Sequence, residues 1–215
     1  MRKMKKRFFA AVILCCAFLL CACAGKDPEN YRGTKYKVEN GAMLNSYTSA
    51  VLGVGCEFND EYRFLTDSEI AQVNGSKKVV PEIIHTMEEG AGFFDLTVQR
   101  KAGGSSLIVF VEKLAAEMKS LSIEEIADKV IEEELSLLAD QGINKDDLKR
   151  TTVFCAGEDR PAIMVTTKSD DLELKQTLVF LKGNFDCYGM ITVTALDADE
   201  TENMLKAFHI LNDSE

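Results

Sequence analysis

Four strand-like runs follow one another between residues 151 and 195, and they constrain the fold more than any other feature. The runs cover residues 151–156, 161–168, 174–182 and 185–195. The breaks between them are Gly157-Glu158-Asp159, Ser169-Asp170-Asp171 and Gly183-Asn184, all residues typical of tight turns. Consecutive strands joined by short polar turns form an antiparallel meander. We therefore expect an antiparallel sheet built from this part of the chain.

One long amphipathic helix is predicted before the meander, at residues 123–141. Ser122 and Glu125 have the spacing of a capping box, and Gly142 is a suitable residue to end the helix. The apolar residues between them recur at helical spacing: Ile123, Ile126, Ala127, Val130, Ile131, Leu135 and Leu138. We expect this helix to lie across one face of the sheet, with Ile126, Val130 and Leu138 facing inward strand positions.

The same patterns predict the remaining elements. Strands are expected at 54–58, 62–65, 93–100 and 105–113, with a hairpin turn at Ala102-Gly103-Gly104. Thr66 and Glu69 predict a short helix ending near Gly75, a second helix covers 79–89, and Asp199 and Glu202 cap a closing helix at 199–211. In the last strand Phe185, Cys187, Ile191 and Val193 share one face, opposite Tyr188, Met190 and Thr192. Cys187 should be buried if its face packs against the long helix.

This order of elements resembles the Mog/PsbP fold, which is also found in DcrB-like bacterial lipoproteins. Locally the chain is similar to small Gram-positive surface lipoproteins over most of residues 47 to 211. The similar segments are Tyr47-Thr48-Ser49, Leu52-Gly53-Val54-Gly55, Tyr62-Arg63-Phe64, Ser68-Glu69-Ile70, Ser122-Ile123-Glu124-Glu125 and Arg160-Pro161-Ala162. The resemblance implies an α+β fold: an antiparallel meander, a long helix on one face and a C-terminal helix. It brings no catalytic residues, and it implies a role in binding partners.

The N-terminus has the layout of an export signal. Five positive charges in the first seven residues are followed by an unbroken apolar run from Phe8 to Ala24. That run is shorter than the ~20 residues that a spanning helix needs. Leu20-Cys21-Ala22-Cys23 resembles the lipobox of bacterial lipoproteins, which implies cleavage before Cys23 and a lipid on that cysteine. Residues 1–22 are thus predicted to be a lipoprotein signal peptide, and the protein to be anchored at the outer face of a membrane.

The exported part is predicted to be a tether followed by one domain. Residues 23–46 are polar and lack a sustained period, so we expect a flexible tether, and residues 47–215 should form a single α+β domain. The signal takes five of the 25 basic residues and none of the 35 acidic residues, so the remainder has a formal net charge of −15. This charge argues against a nucleic-acid partner and against charge-driven adhesion to anionic lipids.

The cysteines and histidines show no spacing typical of a metal site or a catalytic motif. Cys56, Cys155 and Cys187 are too few for a disulfide framework, although an exported protein permits one bridge between two of them. His85 and His209 lack a second ligand at helical spacing. Ser105-Ser106 follows a Gly-Gly turn without an identifiable base, and Asp197-x-Asp199-x-Thr201 lacks the glycine and glutamate of a calcium loop. We expect no catalytic, cofactor or metal residues; the lipid attachment at Cys23 is the one predicted site.

Three classes of function remain open from the sequence. The first, which we favour, is a lipid-tethered binding or assembly module with a protein partner. The second is an extracytoplasmic hydrolase with an unrecognised site, which would need a cleft of convergent polar groups. The third is a small solute-binding lipoprotein, a class that usually needs two lobes around a hinge.

Overall fold

The computed structural model describes residues 34–39, 42–75, 87–140, 143–169, 172–195 and 198–211. It contains three α-helices and eleven strands in this part of the chain. The helices are α1 (Asp67–Val73), α2 (Ile123–Asp140) and α3 (Ala198–Lys206). The strands are β1 (Thr34–Glu39), β2 (Ala42–Ser49), β3 (Val54–Phe58), β4 (Tyr62–Phe64), β5 (Gly92–Arg100), β6 (Ser106–Lys113), β7 (Leu148–Cys155), β8 (Glu158–Ser169), β9 (Leu172–Lys182), β10 (Cys187–Ala195) and β11 (Phe208–Ile210).

The strands form two antiparallel sheets. The larger sheet has the order β4-β5-β6-β10-β9-β8-β7, and its last four strands are the expected meander. The smaller sheet has the order β1-β2-β3-β11. The expected α+β class, with a long helix and a C-terminal helix, is confirmed.

Side-chain caps start two of the helices where the sequence predicts. The Thr66 hydroxyl accepts from the Glu69 N–H at 3.0 Å, and the Glu69 carboxylate accepts from the Thr66 N–H at 2.8 Å. Ser122 and Glu125 make the same reciprocal pair at 3.2 and 2.8 Å. Each pair satisfies two N–H groups that a helix start otherwise leaves without partners.

Two apolar clusters hold the layers together. One lies between the two sheets and includes side chains of β3, β5, β10 and α3, such as Phe58, Leu96, Ile191 and Met204. The other lies between the larger sheet and α2, where Ile126 and Leu138 are fully buried against Phe180 and Met190. The prediction that the helical stripe faces the sheet is therefore confirmed.

The predicted face of β10 was wrong in one respect. Cys187, Ile191 and Val193 are buried, but they face the smaller sheet rather than α2. Tyr188 and Met190, on the opposite face, contact the helix layer. Both faces of β10 are covered, so neither face shows the polar alternation that would distinguish them in the sequence.

The predicted tether and closing helix also need correction. Residues 34–39 and 42–49 pair as β1 and β2, from Thr34 opposite Tyr47 to Glu39 opposite Ala42, so the folded part begins before residue 47. The closing helix ends at Lys206, and Phe208–Ile210 continue as β11, paired with β3. The predicted helix at 79–89 lies mostly within residues 76–86, which are outside the described residues. The signal peptide and Cys23 are outside them as well.

Candidate binding surface

Within the described ranges, strand β7 forms a long free edge of the larger sheet. It has eight residues and pairs, among the described residues, with β8 alone. The other edge of that sheet is β4, which has three residues. Natural proteins usually protect edges with short strands, charges, prolines or bulges, because unpaired N–H and C=O groups bind other strands.

The turn after β7 fixes which backbone groups point to this edge. Ala156 and Gly157 have φ values of +51° and +81°, as the two central residues of a type I′ hairpin turn. Cys155 is opposite Glu158, so these two form the hydrogen-bonded pair next to the turn. Alternation then directs the N–H and C=O groups of Phe154 and Thr152 away from β8, toward the free edge.

The side chains of β7 divide the edge into a charged half and an uncharged half. Lys149 and Arg150 are exposed, and Arg150 is paired with Asp128 of α2 at 2.7 Å. Residues 151–154 carry no charge and are β-branched or aromatic, as suits a strand. Phe154 is 58% exposed. Residues 151–154 thus hold neither charge nor proline, and no bulge interrupts their pairing with β8.

The three cysteines for which the sequence predicts no role are buried, and no two of them form a disulfide. Cys56, Cys155 and Cys187 are free thiols. Burial raises the pKa of Cys56, and it raises the pKa of Cys155 to about 12. The thiolate is the reactive form of cysteine, so burial makes both residues poor nucleophiles.

The other residues singled out in the sequence do not converge on one site. His209 is exposed on β11, with its ring over Gly55, where a Cβ atom would lie 2.7 Å from the His209 Nε2 atom. Ser105 and Ser106 are buried at the start of β6, and Asp199 lies in the first turn of α3. His85 and Asp197 lie outside the described residues. Within the described ranges no group of three or more His, Cys, Asp or Glu residues could hold a metal ion.

A row of polar side chains on the α2 face of the larger sheet was missed by sequence reasoning. Gln99, Ser106, Thr194 and Gln176 stand directly opposite one another on neighbouring strands. The Gln176 amide donates to the Thr194 hydroxyl at 3.0 Å. The Ser106 hydroxyl has no partner among the described residues, but it is also inaccessible. The row is therefore a packed layer rather than an open pocket.

Two polar clusters join the layers of the molecule. The hydroxyls of Tyr47 and Ser49 on β2 donate to the Asp95 carboxylate at the bulge of β5. Glu200 of α3 is 7% exposed and accepts from Tyr62 at 2.8 Å and from Arg100 at 3.0 Å. Each cluster fixes one element against the larger sheet, and each carboxylate is held by donors that satisfy it.

Comparison with known proteins shows likeness at the level of the fold alone. No family model and no curated protein matches this chain. Among solved structures it is similar to a cyanobacterial PsbP, CyanoP of Synechocystis sp. PCC 6803, with 10% identity and a TM-score of 0.44, over 89% of this chain and 99% of that one. It is also similar to a protein of Bacteroides thetaiotaomicron VPI-5482, with 9% identity and a TM-score of 0.44, over 79% of this chain. The chain spans about half, 49%, of the Bacteroides protein.

Proposed function

We propose that this protein is a lipid-anchored module on the outer face of a bacterial membrane, where it binds a protein partner by strand addition at β7. The observation that carries the binding role is the free, uncharged half of β7 with its exposed Phe154. In strand addition, backbone hydrogen bonds along an edge supply affinity, and side chains such as Phe154 supply specificity.

The anchor is supported by the sequence from Leu20 to Cys23. The basic head, the short apolar run and the leucine three positions before Cys23 are typical of bacterial lipoproteins. The resemblance to DcrB-like and Gram-positive surface lipoproteins agrees with this assignment. A diacylglycerol on Cys23 would supply the two acyl chains that stable anchoring requires. Among the described residues, no helix is both long and apolar enough to cross a membrane.

Substitution of Thr152 by proline tests the binding role. The Thr152 N–H points to the free edge, so its loss removes a donor to an added strand without breaking the ladder to β8. We expect in-cell crosslinking to give a discrete adduct with the wild type and with Thr152→Val, which keeps the N–H group. The adduct should be lost in Thr152→Pro. Persistence of the adduct in Thr152→Pro, or no adduct with the wild type, would show the proposal to be wrong.

A further inference from the structure

The β9–β10 turn holds a large aromatic side chain in solvent. Phe185 is 62% exposed and has a φ value of +58°, and the next residue, Asp186, has a φ value of +56°. A left-handed backbone is rare for a bulky residue and persists only where its surroundings enforce it. The sequence pattern predicts Phe185 in the last strand, on the same face as Cys187, but the strand begins at Cys187 and Phe185 lies exposed in the turn before it.

Contacts on both sides fix this turn. The Asn184 N–H donates to the Val51 carbonyl at 2.6 Å, and the Asn184 amide donates to the Ala50 carbonyl at 2.9 Å. On the other side the Leu114 N–H donates to the Asp186 carbonyl at 2.7 Å. Lys119 pairs with the Asp186 carboxylate at 3.0 Å, so the charge next to Phe185 is compensated. Phe185 is therefore presented outward from a rigid turn.

A second exposed apolar side chain lies near the β2–β3 turn, which Asn184 contacts. Ile210 of β11 is 49% exposed, and the N–H of the next residue, Leu211, donates to the Gly53 carbonyl at 2.9 Å. We call residues 50–53 and 183–186 together with Ile210 the tip. Single exposed apolar residues need no explanation, but Phe185 on its turn and Ile210 on β11 expose two at the same end of the molecule, Ile210 also beside Gly157 of the β7–β8 turn.

The first described strand also begins beside the tip. β2 ends at Ser49, next to the tip, and Thr34 is opposite Tyr47, two residues earlier. Because β1 runs antiparallel to β2, the chain enters β1 from the tip side. Thr34 is eleven residues beyond Cys23, a stretch that spans at most ~40 Å even when fully extended. An anchor on Cys23 therefore keeps this end of the molecule near the bilayer.

We infer that the tip rests on the lipid bilayer, with Phe185 and Ile210 in its interfacial layer. This inference depends on the proposed anchor at Cys23. The contact is apolar rather than electrostatic, because the exported chain is strongly acidic and anionic headgroups would repel it. With the tip on the membrane, the bilayer would set the orientation in which the β7 edge meets its partner.

The absence of tryptophan from the chain allows a direct test. The full-length lipidated variants Phe185→Trp and Ile210→Trp would each carry one fluorophore at the tip. Lys101→Trp is the matched control, because Lys101 is exposed in the β5–β6 turn, at the opposite end of the larger sheet. Each variant would be reconstituted into phosphatidylcholine vesicles with or without brominated acyl chains, which quench tryptophan on contact.

We expect the tip variants to show a blue-shifted emission and a loss of fluorescence with brominated lipid, and the Lys101→Trp variant to show neither. The loss should not depend on salt. A chain that floats with the vesicles but whose tip fluorophores are quenched no more than the control contradicts this inference alone. A chain that does not float with the vesicles contradicts the anchor, and the inference with it.

Discussion

Tyr62 and Glu200 illustrate how single residues join distant parts of this chain. Tyr62 lies on β4 and Glu200 on α3, and their side chains meet at 2.8 Å. Burial, and after it the hydrogen bond to the Glu200 carboxylate, raise the pKa of Tyr62 to about 12. A tyrosinate here would lose hydration and would face a carboxylate, so the folded state favours the protonated form.

This shift predicts a dependence of stability on alkaline pH. Below pH 10 Tyr62 is protonated in the folded and in the unfolded state, so its contribution to the free energy of unfolding is fully present. As pH rises from 10 to about 12, the unfolded chain loses this proton first, and the contribution is lost. Tyr62→Phe should cost about 1 kcal/mol near neutral pH through the lost hydrogen bond. The difference in free energy of unfolding between Tyr62→Phe and the wild type should become smaller above pH 10.

Denaturant unfolding of both proteins at several pH values would measure that deficit. Other titrating groups are shared, so their effects cancel in the difference between the two proteins. A deficit that stays constant across pH 10 to 12 would show that the pKa of Tyr62 is not raised in the folded state.

Neither Glu200 nor Phe185 could be placed from sequence. Acidic residues in the first turn of a helix are normally solvated, yet Glu200 is buried because Tyr62 and Arg100 converge on it from other elements. Phe185 looks like a strand residue because it is aromatic and precedes an apolar run. Its actual place depends on hydrogen bonds that its neighbours Asn184 and Asp186 make with Val51 and Leu114, which are distant in sequence.

At the scale of elements, α2 stabilises one face of the larger sheet through its apolar stripe. Ile126 and Leu138 are fully buried and Val130 is nearly so, whereas Glu132 and Glu133 are exposed. Truncation of a buried aliphatic side chain removes transfer free energy and leaves a cavity.

Alanine substitutions along α2 should therefore separate into two groups. Leu138→Ala should destabilise by about 2–5 kcal/mol, and Val130→Ala should cost less because it removes fewer carbons. The controls Glu132→Ala and Glu133→Ala should stay within ~0.5 kcal/mol of wild type. Chemical denaturation of the four variants tests this order, and larger effects of the glutamate changes would mean that the helix presents its other face.

Elements with strong local signals could be predicted, and those formed by distant pairing could not. Short segments of sequence are enough to predict the capping boxes at Thr66 and Ser122 and the turns between β7 and β10. β1 and β11 are not, because each is a strand only through its partners β2 and β3. Phe208 fits the apolar spacing of a continuing helix, but pairing opposite Cys56 ends α3 earlier. The free edge at β7 could not be recognised before the strand order was known.

For the molecule as a whole, the two surfaces have separate roles in this account. The tip lies beside the start of β1, the first described strand, and the β7 edge belongs to the outermost strand of the larger sheet. A short tether and an apolar tip would fix the orientation of the domain, and the edge would then be available to a partner at the membrane surface. The role of the tip depends on the anchor, whereas strand addition at β7 does not.

The intact mass of the protein extracted from its own membranes, for the wild type and for Cys23→Ser, tests the proposed anchor at Cys23. The wild type should begin at Cys23 and carry the added mass of a diacylglycerol on that residue. Cys23→Ser should keep its signal peptide or be released from the membrane. A wild-type chain that begins elsewhere, or a Cys23→Ser chain that is cleaved and membrane-bound like the wild type, would show that Cys23 is not the lipid anchor.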